Sequence, residues 1–162
     1  QQSLSRLSGW LIDRLVDSAC SQLQPLSTQQ QPLASLSWRE RLRIVRDATR
    51  ALVYLHTPSG EKGVVLHRDV KPTNILLDEQ LNAKLADVDL AKEAPLLSAG
   101  HTHVSSRSLV GTPGYVDHLY ANTGQYSQLT DGYAIGITLL VCLTGKPALD
   151  AIDACEASLE DP

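Results

Sequence analysis

Residues 64–77, VVLHRDVKPTNILL, constrain the fold most, because two three-residue apolar runs enclose an eight-residue polar segment. Apolar runs this short, bounded by polar residues, read as strands over Val64–Leu66 and Ile75–Leu77. A third run, Ala83–Ala86, ends at Asp87. The segment between the first two places His67, Arg68, Asp69, Lys71 and Asn74 at fixed offsets. A loop held at both ends by strands can present such groups in one fixed arrangement.

Helical spacing dominates upstream. Leu4, Leu7, Leu11 and Leu15 predict an amphipathic helix over 3–19, followed by a Gln/Ser/Pro-biased polar loop over 21–35. Ser37 with Glu40 three residues on forms a capping-box pattern that opens a helix over 38–56. Leu42, Val45, Thr49, Leu52 and Leu55 are expected to mark its buried face. Pro58, Gly60 and Gly63 then break the chain. Residues 90–120, rich in Ser, Thr, His and Gly, lack a sustained period and read as a long functional loop. From Thr130 or Asp131 to Leu143 the chain is apolar on nearly every side, which predicts a buried helix over 131–143 closed by Gly145.

Composition narrows the function. With 162 residues and 43% hydrophobic content the chain suffices for one core, and that core must be aliphatic, since there are 27 Leu but no Phe or Met. Without a Met, the chain is expected to be an excerpt of something longer. A net charge of −4 and no visible basic stripe argue against a nucleic-acid partner. Cys20, Cys142 and Cys155 are widely spaced and suit a reducing compartment. The apolar run Tyr133–Leu143 is too short to span a bilayer, so no membrane contact and a cytoplasmic setting are expected, with the parent free to be anchored elsewhere.

The order helix, loop, HRDVKPTN, Asp, long loop, GTPGY, buried helix resembles the C-terminal lobe of a eukaryotic protein kinase. The wording of LSWRERLRIVRDATRALVYLH, HRDVKPTNILLD, GTPGYVD and LLVCLTGKPA is most similar to the plant receptor-like, Pelle and interleukin-receptor-associated Ser/Thr kinase group. The resemblance implies an α+β protein-kinase-like fold, of which residues 1–162 form the mainly helical C-terminal lobe with short strands. It also implies a catalytic loop over 67–74 and an activation segment over 87–120. The substrate would be a protein carrying Ser or Thr, with ATP and Mg2+ as cofactors and an upstream receptor or adaptor as a further partner.

Site residues follow from the chemistry of phosphoryl transfer, which needs an oriented hydroxyl, cations on the phosphates and fixed metal ligands. Asp69 is the candidate base and Lys71 the group for the γ-phosphate. Asn74 and Asp87 are candidate magnesium ligands, and Leu76 matches the floor of the adenine pocket, or is an ordinary core leucine. His67 is expected to be structural. Arg68 matches an arginine that pairs with an activation-loop phosphate, for which Thr102, Ser105, Ser106 and Ser108 are the candidate acceptors; the alternative is a plain Ser-rich loop. Thr112 matches the threonine that contacts the catalytic loop. Asp131 matches an aspartate that accepts catalytic-loop N–H groups, or is a helix-dipole charge. The pair His101 and His103 lacks a third ligand at suitable spacing.

Several positions depart from the family. Asp87-Val88-Asp89 stands where DFG is expected, and His118-Leu119 where the Pro-Glu of APE is expected. Val for Phe removes a large apolar contact, worth roughly 1 to 3 kcal/mol if the site cannot collapse. Asp for Gly matters wherever φ is positive. No Gly-rich loop, ATP-contacting lysine or partner glutamate is visible, and the later helices of the lobe are expected to be missing after about residue 150. The isolated chain is expected to be inactive. A pseudokinase or scaffold is the alternative function, and a small-molecule phosphotransferase a more distant one.

Overall fold

The computed structural model describes residues 36–59, 63–94, 103–106 and 108–160. The expected helix over 3–19, the polar loop over 21–35, Cys20, His101 and Thr102 lie outside them. Four helices and three two-stranded antiparallel ribbons make up the described part, a mainly helical lobe with short strands.

Helix α1 spans Trp38–His56 and opens with a complete capping box: Ser37 Oγ accepts from Glu40 N–H, and the Glu40 carboxylate accepts from Ser37 N–H at 2.7 Å. Its buried face is Arg41, Ile44, Val45, Ala48 and Leu52. The expected face is thus rotated: Leu42 is exposed, and Thr49 and Leu55 are only half-buried. Arg41 misleads a hydrophobicity reading because its guanidinium is buried to serve backbone, donating to the carbonyls of Leu36 at 3.1 Å and Cys142 at 2.8 Å. Its four-residue spacing to Val45 nonetheless lies on the inner stripe. The outer side of α1 exposes Arg39, Arg46 and Arg50, while Arg43 between them is half-buried and donates to the Gln80 carbonyl at 2.9 Å. Asp47 lies 2.8 Å from Arg46 and 3.8 Å from Arg50.

Strand β1 (Val64–Leu66) is followed by a 3-10 turn over Pro72–Asn74, β2 (Ile75–Leu77) and β3 (Ala83–Leu85). β2 and β3 form a hairpin in the register Leu76↔Lys84. The described parts of residues 90–120 hold more regular structure than their lack of period suggests. They contain β4 (Lys92–Ala94), β5 (His103–Ser105) and the start of α2 (His118–Thr123). β4 pairs with β1 through Val65↔Glu93, and β5 pairs with β6 (Gln125–Ser127) through Val104↔Tyr126. Three-residue strands whose partners are 28 and 22 positions away leave no local signature for a periodicity reading to find.

Helix α3 spans Gln128–Thr144, three residues longer at its N-terminus than the apolar run indicates. Ser127 and Thr130 form its capping box, and Gly145, left-handed with φ 68°, closes it by donating to the Val141 carbonyl at 2.8 Å. Helix α4 (Ala148–Glu160) occupies the stretch where no further helix was expected, turning 86° from α3. Leu36, Ile44, Val45, Ala48, Ile75, Leu77 and Cys142 form the main core, which locks α1 and α3 onto the β2–β3 hairpin. Among the described residues no single helix is long and apolar enough to cross a membrane.

Candidate active site

Asp69 sits at the centre of a tight polar cluster. Lys71 Nζ donates to its Oδ2 at 2.7 Å, Asn74 Nδ2 to the same oxygen at 3.1 Å, and Thr112 Oγ1 to its Oδ1 at 2.6 Å. Lys71 also reaches Thr112 Oγ1 at 2.8 Å, which closes a triangle across 43 residues of sequence between Asp69 and Thr112. Burial alone would raise the Asp69 pKa, but the bonds from Lys71 and Thr112, the lysine charge and the bond from Asn74 together hold it below the ordinary carboxylate value. The group is therefore ionised at neutral pH and can accept a proton or a hydroxyl hydrogen bond.

The loop carrying Asp69 is fastened from below. Asp131, fully buried in the first turn of α3, accepts His67 N–H on Oδ2 and Arg68 N–H on Oδ1, both at 2.9 Å. Tyr126 Oη donates to Oδ1 at 2.6 Å, and His56 Nε2 lies 2.8 Å from Oδ2. Burial would raise the Asp131 pKa, yet His56, Tyr126 and the two amides outweigh it and hold the carboxylate below its usual value. Arg68 needs this support, because its φ of 74° is left-handed, a conformation that bulky side chains seldom adopt. His67, with no exposure, accepts from Asp69 N–H on Nδ1 at 3.3 Å and lies 3.1 Å from the Ala86 carbonyl through Nε2, which places the ring proton on Nε2.

Ala86, the residue before Asp87, is bonded to the loop, its N–H donating to the Asn74 carbonyl at 2.8 Å. The Asn74 amide nitrogen is engaged by the Asp69 carbonyl at 2.8 Å as well as by its carboxylate, so the amide oxygen faces away from Asp69. Asp87 is exposed and has no hydrogen-bond partner among the described residues. Amide and carboxylate oxygens are hard donors of the kind that magnesium takes. Leu76, on the central position of β2, is half-buried.

Two glycines let the GTPGY stretch turn with positive φ. A Cβ at Gly111, with φ 125°, would sit 3.1 Å from Val116 Cγ2, and one at Gly114, with φ 85°, 2.9 Å from Ala148 Cβ on α4. Larger residues at either position would be strained in this backbone. The Arg68 guanidinium donates to the Leu90 carbonyl at 3.5 Å and to Ser106 Oγ at 3.4 Å, while its Nε has no partner among the described residues. Of the candidate acceptors, Ser106 lies against Arg68 and in turn donates to the Ser108 carbonyl at 2.6 Å. Ser105 is exposed on β5, with its backbone opposite Gln125.

The departures read differently in three dimensions. Asp89 has no positive φ, so its replacement of glycine carries no left-handed strain here; the strained position is Asp87, at 62°. Val88 is 55% exposed and Leu119 64% exposed. His56, Tyr126 and Arg41 were not singled out by sequence reasoning. His56 had a signal, standing four residues after Leu52 on the buried stripe of α1.

Residues 16–160 match the protein kinase domain family. Among curated proteins of Arabidopsis thaliana, the chain is 46% identical over 115 residues to the probable LRR receptor-like serine/threonine-protein kinase PAM74, covering 71% of this chain and 12% of that protein. It is 46% identical over 116 residues to the receptor-like protein kinase FERONIA, covering 72% of this chain and 12% of the relative. It is 43% identical over 121 residues to the probable serine/threonine-protein kinase PBL17, covering 75% and 26%. The chain thus spans an eighth to a quarter of the length of these relatives. The chain belongs to the protein kinase domain family and is similar to plant receptor-like serine/threonine kinases.

Proposed function

We propose that residues 67–74 are the catalytic loop and 87–120 the activation segment of a Ser/Thr protein kinase, which transfers the ATP γ-phosphate to a protein hydroxyl in a cytoplasmic signalling step. The observation that carries this reading is the ionised Asp69 with Lys71 and Thr112 within 2.8 Å. Asp69 takes the hydrogen bond of the substrate hydroxyl and aims its oxygen. Lys71, already beside Asp69, turns its ammonium to the γ-phosphate as that group separates. Thr112 ties the substrate-facing segment to the same carboxylate. Asn74 and Asp87 would hold magnesium, which spreads phosphate charge when bound. Leu76 would lie under the adenine.

Regulation follows from Arg68. A guanidinium with two long neutral contacts and an unmatched Nε gains a much stronger partner if Ser106 is phosphorylated. Ser106 is therefore the acceptor we favour over Thr102, Ser105 and Ser108, set by an upstream receptor or adaptor pathway. A second reading, a pseudokinase that binds nucleotide without transfer, is favoured by the exposed Val88 at the position where the family packs a Phe. We expect the 162-residue chain alone to be inactive.

Phosphate transfer from radiolabelled ATP to a Ser/Thr protein substrate, measured with the full-length protein and its Asp69→Asn variant, tests the reading. A loss of about 100-fold or more is expected. Equal transfer by the variant would remove Asp69 from its role. Nucleotide binding without transfer by either would establish the pseudokinase reading.

A further inference from the structure

Tyr126 meets Asp131 and Arg68 at once. It lies on β6 opposite Val104 of β5, only 3% exposed. Its hydroxyl bonds the Asp131 oxygen that also accepts Arg68 N–H, at 2.6 and 2.9 Å. Its ring faces the Arg68 guanidinium, whose carbon is 5.5 Å from the centroid, and meets Tyr120 edge-on at 4.8 Å. Both ends of Arg68, backbone and guanidinium, thus rest on groups that this phenol touches.

We infer that Tyr126 is a positioning residue that couples the activation-segment strand β5 to the catalytic loop, by fixing the Asp131 carboxylate and the Arg68 side chain together. Its reach is mechanical. A shift of β5 moves β6 through their shared ladder, and Tyr126 carries the shift to the oxygen that holds Arg68 N–H. Asp131 has four donors, and two of them, His56 and Tyr126, come from outside the loop it supports. His56 ends α1, which packs in the main core, whereas Tyr126 belongs to the ribbon that includes the activation-segment strand β5, so a change in that strand reaches Asp131 through Tyr126, beside the direct contacts of Thr112 and Ser106 with the loop. The phenol stays protonated, since burial and the Asp131 charge both push its pKa up. It therefore acts as a fixed donor and carries no proton in the reaction. The inference deepens the kinase reading, and its effect on turnover rests on that reading, whereas its structural part does not.

Amide hydrogen exchange on the full-length protein tests it, with Tyr126→Phe keeping the ring and the strand pairing while removing the donor. Exchange at His67 and Arg68 is expected to quicken roughly 10- to 100-fold, with protection across residues 44–52 unchanged. Tyr120→Phe, which removes the hydroxyl that accepts from Val110 N–H, is the control and should leave both amides as they were. Unchanged exchange at 67 and 68 in Tyr126→Phe would overturn the inference. So would an equal rise over 44–52, which marks general loss of packing. In the transfer assay the variant should lose about tenfold in kcat with KM for ATP unchanged; a raised KM with kcat intact would also overturn it. A wild-type protein that transfers no phosphate would instead overturn the kinase reading, leaving exchange to decide this one.

Discussion

Two stretches that bear the proposed chemistry are built in opposite ways. Residues 67–74 are almost wholly enclosed, with His67, Asp69, Val70, Pro72 and Asn74 buried and their polar groups paired. Residues 87–90 are all exposed; among the contacts they make are Ala91 N–H to the Val88 carbonyl at 3.0 Å and the long contact from Arg68 to Leu90. Groups that must aim a substrate are pre-set by protein partners, while the carboxylate proposed to take a metal is left without one. The cost of ordering the first was met on folding, and ordering the second is left to the ligand.

Substitutions at the support of the enclosed loop should have the largest effect on stability. Asp131→Ala strands four donors around an empty site and is expected to cost about 3 to 5 kcal/mol, on the order of 10 °C in thermal midpoint. A midpoint within a degree or two of wild type would show that the loop does not depend on this anchor. Asn74→Ala comes next. It removes two bonds to Asp69 and should cost about 1 to 3 kcal/mol, read from denaturant midpoints at constant slope.

Acid should loosen the enclosed loop before the outer strands. Asp69 and Asp131 have pKa values lowered below their unfolded ones, so each contributes stability that is full above the unfolded value, about 4, and is lost as pH falls through the folded value. Stability is expected to be flat in these two groups from pH 5 to 8 and to fall below about pH 4. A fall between pH 5 and 7 traced to either residue would contradict the direction of both shifts. The smallest effect belongs to the open stretch. Asp87→Ala should cost no more than about 1 kcal/mol without ligand, the part due to its left-handed backbone, yet abolish the thermal gain from Mg-ATP.

What the sequence disclosed follows the same division. Local signals were readable: the Ser37–Glu40 capping box fixed the start of α1, Gly145 the end of α3, and the apolar triplets β1 and β2. The offsets of Asp69, Lys71 and Asn74 along the loop were readable too, because a short loop between two strands forces them together. Pairings without a local signal were not readable from spacing. The contact of Thr112 with the catalytic loop, 43 residues away, was legible only through the family resemblance; the bond from Tyr126 to Asp131 starts from a residue that reads as core, and Arg41 is a charge on an inner face that reaches the Cys142 carbonyl. The start of α3 was missed because its cap residues, Ser127 and Thr130, precede the apolar run. Strands β4 and β5 exist because of distant partners, and α4, with an exposed acidic side at Asp150, Asp153 and Glu156, has only a modest apolar face to announce it.

Exchange of the full-length protein with and without Mg-ATP tests most directly whether one stretch is pre-set and the other waits for ligand. Amides of residues 86–91 should gain protection on binding, while those of 67–70 stay at the high protection they already have. A gain at 67–70 as large as that at 86–91 would contradict this, and would mean that the catalytic loop is assembled by the nucleotide and not by Asp131.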